Sequence, residues 1–382
     1  MSLRLTLAFG LWALGLAFAG CSPRPTSEVL VPVAQVPSYT AKVRLLVATT
    51  RERGTPGDPN AFSTLRSETV NYAALTISIP RNHKPGQIEW PDQVPADPAF
   101  HFLTTDRSFL GPQAFNDEVR RSVQSARGER GSVLVFVHGY NTLYEEAVYR
   151  YAQIIHDSGF SGTAILFAWP SRGKAPLYLA DRDASTYSRD YFERTLLQLA
   201  GVSGVREINI LAHSMGGWLT VEVLRQARLK GNGSFNGKLG DVILASPDLD
   251  VGVLRTQLDV IGALKRPMVI LASKDDNVLA LSSFLSGGVE RAGNISTDNR
   301  DVIEAAQRYN VRIVDLSMVD DGTSAHHAKF AESGAVIAAI GRGLKADAAA
   351  KTSQSVVTAV TNVGTSILAL PAAIVGAGGP AQ

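Results

Sequence analysis

An α/β architecture, with a mostly parallel, doubly wound sheet of about eight strands flanked by helices, is predicted by three observations. Short apolar runs recur along the chain, among them 133–137, 163–168, 242–245 and 268–272, and the run Glu207 to Leu211 alternates as suits a buried strand. Segments with apolar residues at helical spacing separate the strands, at 115–126, 144–158, 186–201 and 218–229. The run Val133-Leu-Val-Phe-Val137 is apolar at every position, as suits a central strand covered on both faces.

Taken in order, the chain opens with Arg4 and an apolar run from Leu5 to Ala19, ending in Phe18-Ala-Gly-Cys21. Small residues before a cysteine are what lipoprotein signal cleavage requires, so 1–21 reads as an export signal with Cys21 as the acylated new N-terminus. Ser22 in place of an acidic residue favours outer-membrane sorting in a Gram-negative bacterium. Two or three acyl chains would hold a soluble domain at a bilayer. Residues 22–40, rich in proline, serine and valine, read as a tether, and 41–345 as the folded domain. The first two strands fall at 42–49 and 72–79, joined by a polar segment. An irregular stretch at 81–98 follows, where Pro85, Pro91 and Pro95 exclude a continuous helix. Residues 346–382 form a tail without charge from Thr352 onward, interrupted by Asn362, Gly364, Thr365, Ser366 and Pro371. Surface packing, disorder or contact with a bilayer suits it better than a membrane span.

The chain has 382 residues, 45% of them hydrophobic, enough for one sizeable core. Its formal net charge is +2, without a basic stripe, so nucleic acid is not an expected partner. Cys21 is the single cysteine, which excludes a disulfide within the monomer.

The stretch Ile208-Asn-Ile-Leu-Ala-His-Ser-Met-Gly-Gly217 carries the chemistry. A strand runs into it and a helix leaves it, so Ser214 sits on a strand-to-helix turn. Such a turn strains the backbone at the serine and brings strand and helix close, so the positions two before and two after must be small. Ala212 and Gly216 meet that demand, with Ala212 standing where glycine is usual. The helix aims its free N–H groups at the serine oxygen, which marks Ser214 as the candidate nucleophile. The strand 133–137 ends in His138-Gly-Tyr-Asn141, where an oxyanion loop belongs. The N–H groups of Tyr140 and Met215 are the candidate donors to a developing oxyanion.

A hydroxyl nucleophile needs a base, and the base an orienting acid, in the chain order serine, acid, histidine. Two histidines follow Ser214, His326 and His327. His327, which opens His-Ala-Lys-Phe330, is the preferred base and His326 the alternate. Asp276, after the strand 268–272, is the preferred acid, and Asp275 its immediate rival. Asp248 and Asp250 follow the preceding strand, but acids at strand ends more often cap helices. His213 reads as structural, because its side chain should leave the turn in another direction. Trp169 reads as packing over the sheet end and shaping the cleft, or as lining the pocket. Adjacent histidines chelate one ion poorly and no second ligand stands at metal spacing, so neither metal nor cofactor is expected.

Over residues 41–345 the chain resembles a largely uncharacterised bacterial α/β-hydrolase family, usually described as esterase- or lipase-like. The resemblance rests on Ala48-Thr-Thr-Arg51, Ser78-Ile-Pro80, His138-Gly-Tyr-Asn141, Trp169-Pro-Ser171 with Gly173, the turn at Ser214, Pro247-Asp-Leu-Asp250, Ser273 through Ser282, and His327 through Phe330. It implies the α/β-hydrolase fold, with Ser214 as nucleophile, Asp276 as acid and His327 as base. Lys329 departs from the family, which more often has an aromatic there.

The expected activity is hydrolysis of a small-molecule or lipid carboxylic ester through an acyl-enzyme. An amidase, thioesterase or acyltransferase acting on envelope lipid or glycan would use the same three side chains. A membrane-tethered binding protein on a degenerate hydrolase scaffold is the reading from a different class, and it would not react with a fluorophosphonate probe.

Overall fold

The computed structural model describes residues 24–350, apart from 56–60, 93–95, 127, 286–287, 296–299 and 320–324. The signal segment with Cys21 and the tail from 351 lie outside the described residues. Nine strands among them form one sheet, in the order β3-β2-β1-β5-β4-β6-β7-β8-β9. They are β1 (Ala41–Arg53), β2 (Phe62–Ile79), β3 (Leu103–Leu110), β4 (Ser132–Val137), β5 (Thr163–Ala168), β6 (Glu207–His213), β7 (Leu239–Ala245), β8 (Met268–Ala272) and β9 (Val311–Asp315). From β1 through β5, β4 and β6 to β9 every neighbouring pair is parallel, while β2 runs antiparallel to both β1 and β3.

The helices are α1 (Pro112–Ser125), α2 (Tyr144–Ser158), α3 (Tyr178–Tyr187), α4 (Arg189–Gly201), α5 (Met215–Leu229), α6 (Val251–Ile261), α7 (Asn277–Leu285), α8 (Arg300–Arg308), α9 (Lys329–Glu332) and α10 (Gly334–Ala350). The alternation of strand side chains divides the core in two. Val133, Val135 and Val137 of β4 pack on one face of the sheet with Phe192 and Leu219, from α4 and α5. Leu134 and Phe136 pack on the other with Tyr151 and Ile340, from α2 and α10. Both faces are covered, which is why the central strands are apolar throughout. No described helix is long and apolar enough to cross a membrane.

Three elements differ from expectation. The polar segment after Arg51 is not a loop along its whole length, because Phe62 to Asn71 extends β2 and pairs Arg66 with Arg51 and Phe62 with Arg53. After Phe62 this half of the strand is exposed or only partly buried, so it carries no apolar alternation. The helix expected at 186–201 is two helices that meet at Ser188, whose hydroxyl donates to the Ala184 carbonyl and lies 2.8 Å from that of Thr50. The segment expected as a free tether is packed on the domain from Arg24 onward. Leu30 is fully buried, the Val29 carbonyl accepts from Tyr149 Oη at 2.6 Å, and the Val33 amide donates to Thr104 at 2.8 Å.

Candidate active site

Strand β6 delivers His213 to the C-terminal edge of the sheet and α5 starts at Met215, so the whole reversal falls on Ser214. Its backbone stands at φ 53° and ψ −122°, a strained geometry for a residue with a Cβ. Two bonds hold it there: the Ser214 amide donates to the Ala245 carbonyl at the end of β7, and the Gly217 amide donates to the Ser214 carbonyl. The sharpness of the turn explains Gly216, where an added Cβ would lie 2.5 Å from the carbonyl oxygens of both Val137 and His138. Ser214 itself is 2% exposed.

Strand β4 runs parallel to β6 and its exit passes directly beside the turn. A Cβ at Gly139 would stand 2.9 Å from Ser214 Cβ and 2.8 Å from His213 Nδ1, so only glycine lets the loop come this near. The Tyr140 amide follows immediately, and the Met215 amide lies in the first turn of α5, where a helix has no acceptor of its own to offer. These are the two groups expected to receive an oxyanion.

The acid and the base are brought together. Asp276, 1% exposed, caps α7 through Oδ1, which accepts from the amides of Val278 and Leu279 at 3.1 and 2.9 Å. Its other oxygen, Oδ2, accepts from His327 Nδ1 at 2.8 Å. A carboxylate only accepts, so the proton of a neutral His327 ring resides on Nδ1 and Nε2 is left as the basic nitrogen. The His327 ring lies against that of His213, with centroids 4.7 Å apart, which sets it next to the residue that precedes Ser214. His213 also bonds through Nε2 to the His327 carbonyl at 3.2 Å and lies against the Phe330 ring, tilted by 35°. Burial and the neighbouring His327 push the His213 imidazole well below its usual range, so it is neutral. His213 is therefore more than a packing residue, since it fixes the segment that carries His327. Its position before the serine gave no sign of this, because the contact spans 114 residues.

The alternates are held elsewhere. His326, at φ 53°, has Nδ1 3.9 Å from Asp275 Oδ2. Asp275 accepts from Lys329 Nζ at 2.9 and 2.8 Å and from Ser273 Oγ at 2.5 Å. Asp250 caps α6, accepting from the Val253 amide at 2.7 Å. Asp248 accepts from Tyr178 Oη at 2.8 Å and Ser282 Oγ at 2.7 Å, and Arg291 Nε lies 3.4 Å from it. Trp169 is fully buried, donates to the His138 carbonyl at 2.8 Å and stacks on the His138 ring. It shapes the loop after β4 rather than lining the cavity.

Sequence reasoning missed what anchors that loop. Asp181 of α3, fully buried, accepts from Ser171 Oγ at 2.6 Å and from the amides of Asn141 and Arg172 at 3.1 and 2.6 Å. Arg51, 1% exposed, donates to the Thr142 carbonyl at 3.1 Å, and Thr49 Oγ1 to the Ala168 carbonyl at 2.5 Å. The motifs at 48–51, 138–141 and 169–173 are thus parts of one hydrogen-bonded frame. Beside the loop, a cavity of about 260 Å³ is walled by Ile88, Trp90, Phe136, Gly139, His213 and Phe330, with Thr142, Glu146 and Arg150 among its polar lining.

One group of three side chains with metal-ligating atoms within 4.8 Å of one another occurs among the described residues, His83, His156 and Asp157. It shares no residue with this site. His83 lies between Asp157 Oδ1 at 2.7 Å and Glu89 Oε2 at 2.8 Å. Burial opposes its charge, but these two bonds prevail and raise it to about 9, so it serves as a cation between two carboxylates.

No curated protein matches the sequence significantly. Among solved structures, Thermogutta terrifontis esterase 2 phosphorylated by paraoxon is 14% identical, with 64% of this chain and 76% of that one covered and a TM-score of 0.32. The Pyrobaculum calidifontis esterase is 12% identical over 73% and 82% of the two chains, at 0.32. Esterase B from Lactobacillus rhamnosis, inhibited by a tributyrin phosphonate, is 12% identical over 87% and 90%, at 0.35. Likenesses this remote bear on neither site nor substrate. The family model that describes an alpha/beta hydrolase of unknown function, DUF900, matches residues 112–343, which include the loop after β4, the turn at Ser214 and the Asp276–His327 pair but not Thr49 and Arg51 of the frame, and the chain belongs to that family.

Proposed function

We propose that this hydrolase cleaves carboxylic esters with Ser214 as nucleophile, His327 as general base and acid, and Asp276 as the carboxylate that orients and balances His327. The observation that carries the reading is the 2.8 Å bond from His327 Nδ1 to Asp276, on a segment held against the residue that precedes the strained Ser214. Ser214 Oγ attacks the ester carbonyl carbon as His327 Nε2 takes the hydroxyl proton. The carbonyl oxygen gains the charge and is received by the Met215 and Tyr140 amides. The tetrahedral centre collapses, the alkoxide leaves with the proton from His327, and the acyl group remains on Ser214. Water repeats the sequence and frees the acid. The apolar wall of the cavity beside Gly139, with Trp90, Phe136 and Phe330, suits a small apolar group of such an ester.

Turnover of a p-nitrophenyl ester by the purified chain, with fluorophosphonate labelling, tests this. Ser214→Ala is expected to lose both activity and label while its thermal midpoint holds, and His327→Ala to lose activity where His326→Ala keeps it. Activity that survives Ser214→Ala, or an inactive His326→Ala beside an active His327→Ala, defeats the assignment. The sequence also supports lipidation at Cys21 and residence in the cell envelope, at the outer membrane of a Gram-negative bacterium. Cys21→Ala is then expected to shift the protein from the membrane to the soluble fraction and to abolish incorporation of an alkyne fatty acid.

A further inference from the structure

Arg24 stands three residues after Cys21. It is the first described residue, and it grips the domain. Its guanidinium donates to Asn141 Oδ1 at 3.0 Å, to the Asn141 carbonyl at 2.7 Å and to the Gly173 carbonyl at 2.7 Å, and it pairs with Glu146. Asn141 belongs to the loop that presents the Tyr140 amide, and Gly173 to the exit of β5. Arg24 is therefore fastened to the rim of the candidate active site, at the C-terminal edge of the sheet.

Chain geometry turns this into a limit on distance. Three residues span at most about 11 Å even when fully extended. A Cys21 whose acyl chains enter a bilayer must then hold the Asn141–Gly173 rim within that distance, extended by the length of the Arg24 side chain, of the headgroups. A domain of this size cannot turn its opposite end to the membrane on so short a leash.

The surface next to Gly173 suits that contact. Lys174, Ala175, Pro176, Leu177 and Leu179 are all exposed, Leu177 at 40% and Leu179 at 63%. Between the two leucines, Tyr178 turns inward to Asp248 and contacts the Tyr140 ring, and its hydroxyl lies 3.2 Å from Ser282 Oγ. Leu281, beside Ser282, is 58% exposed. Single exposed leucines are ordinary on a soluble surface. Here they stand on segments in contact with one another, next to the oxyanion loop and beside a lysine suited to anionic headgroups.

We propose that the edge formed by Lys174 to Leu179 rests on the bilayer to which Cys21 is anchored, so that the Ser214 site opens onto the membrane and takes its ester from bilayer lipids. The orientation rests on acylation of Cys21, and the substrate class rests also on the serine-hydrolase reading. Acylation at Cys21 supplies affinity, and Leu177 and Leu179 set the attitude of the domain.

The acylated full chain, reconstituted in vesicles of phosphatidylethanolamine and phosphatidylglycerol, separates these points. Leu179→Trp is expected to add fluorescence that brominated lipids quench. Leu229→Trp, at the far end of α5 and also exposed, is expected to add fluorescence that they do not. Equal quenching, or the reverse order, overturns the orientation whatever the enzyme does. In the same vesicles, Leu177→Asp/Leu179→Asp is expected to lower phospholipid hydrolysis at least tenfold and to leave p-nitrophenyl acetate turnover unchanged. Equal lipid turnover by variant and parent, or lipid left intact by a parent that cleaves the soluble ester, overturns the substrate class. Failure of the serine-hydrolase reading has a separate signature, loss of both turnovers with the quenching pattern intact. A chain that does not float with the vesicles refutes the anchor and the orientation with it.

Discussion

Lys329 closes on both carboxylate oxygens of Asp275, at 2.9 and 2.8 Å, one residue along the chain from the carboxylate that holds His327. The lysine is 1% exposed and also donates to the carbonyls of Leu316 and Ser317, each at 3.1 Å. Burial works against the Asp275 charge, but the bonds from Lys329 and Ser273 outweigh it and keep its carboxyl below the usual range. An aromatic at position 329, as in the resembling family, could not do this. The departure at Lys329 thus occupies one of two adjacent carboxylates and leaves Asp276 to the histidine.

The two acids are therefore expected to separate on substitution. Asp276→Asn should lower kcat by about 10⁴-fold, the scale of a triad that loses its orienting charge. Asp275→Asn should keep turnover within severalfold and cost about 1–3 kcal/mol of stability, a hydrogen-bonded charge reduced in worth because Asp275 is 40% exposed. Ester turnover and urea unfolding of both variants check this, and the opposite order of kcat would exchange the roles of the two residues.

How much of this was legible in the sequence depended on whether a constraint was local. The turn at Ser214 could be read because its demand for small neighbours falls on positions 212 and 216, within one short stretch. Strands β4 to β8 could be read because burial on both faces forces largely apolar runs, broken only within β6 and β7 by Asn209 and Asp241. Strand β3 and the first half of β2 could not, since their side chains are mostly only partly buried and polar residues carry no period there. The bonds of Asp181 to Asn141, of Arg51 to Thr142 and of His213 to His327 join residues 40, 91 and 114 positions apart. Nothing in the spacing of Asp181 from other polar residues distinguishes it from a helix-surface acid. The packing of residues 24–33 was hidden by composition, because valine and proline without period suit a spacer as well as a clamped segment.

Two buried imidazoles give the protein an acid-sensitive fold. Burial, aided by Arg51, depresses His138 to about 3, and burial with the adjacent His327 depresses His213. In the unfolded chain both return to about 6.5, so below that pH unfolding takes up protons. Stability is complete above about 6.5 and declines as the pH falls toward the folded values, at up to about 1.4 kcal/mol per pH unit from His138 alone. His83 acts in the opposite sense. Raised to about 9 by Asp157 and Glu89, its contribution is complete below about 6.5 and is lost as the pH rises through 9. Maximal stability is expected between these limits, near neutrality. Urea midpoints at pH 5.5, 7 and 9.5 should trace that dome, and stability unchanged from pH 7 to 5.5 would contradict the state assigned to His138 and His213.

Gly216 offers the most direct test of how the turn joins the oxyanion loop. The Cβ of a Gly216→Ala variant would lie 2.5 Å from the carbonyl oxygens of Val137 and His138, both of them backbone atoms that cannot rotate away. Either α5 lifts from β4 or the exit of β4 moves, at about 1–3 kcal/mol or more for such overpacking. Both movements separate the Met215 amide from the Tyr140 amide, since one is carried by α5 and the other by that exit. Loss of one such donor lowers turnover by about 10²–10³-fold, so kcat is expected to fall by that much in protein that still unfolds cooperatively. Ala212→Gly, which adds no atom to the turn, is expected to cost only about 0.5–1 kcal/mol and to leave kcat unchanged. A Gly216→Ala enzyme with full kcat would mean that the oxyanion is not received between these two elements.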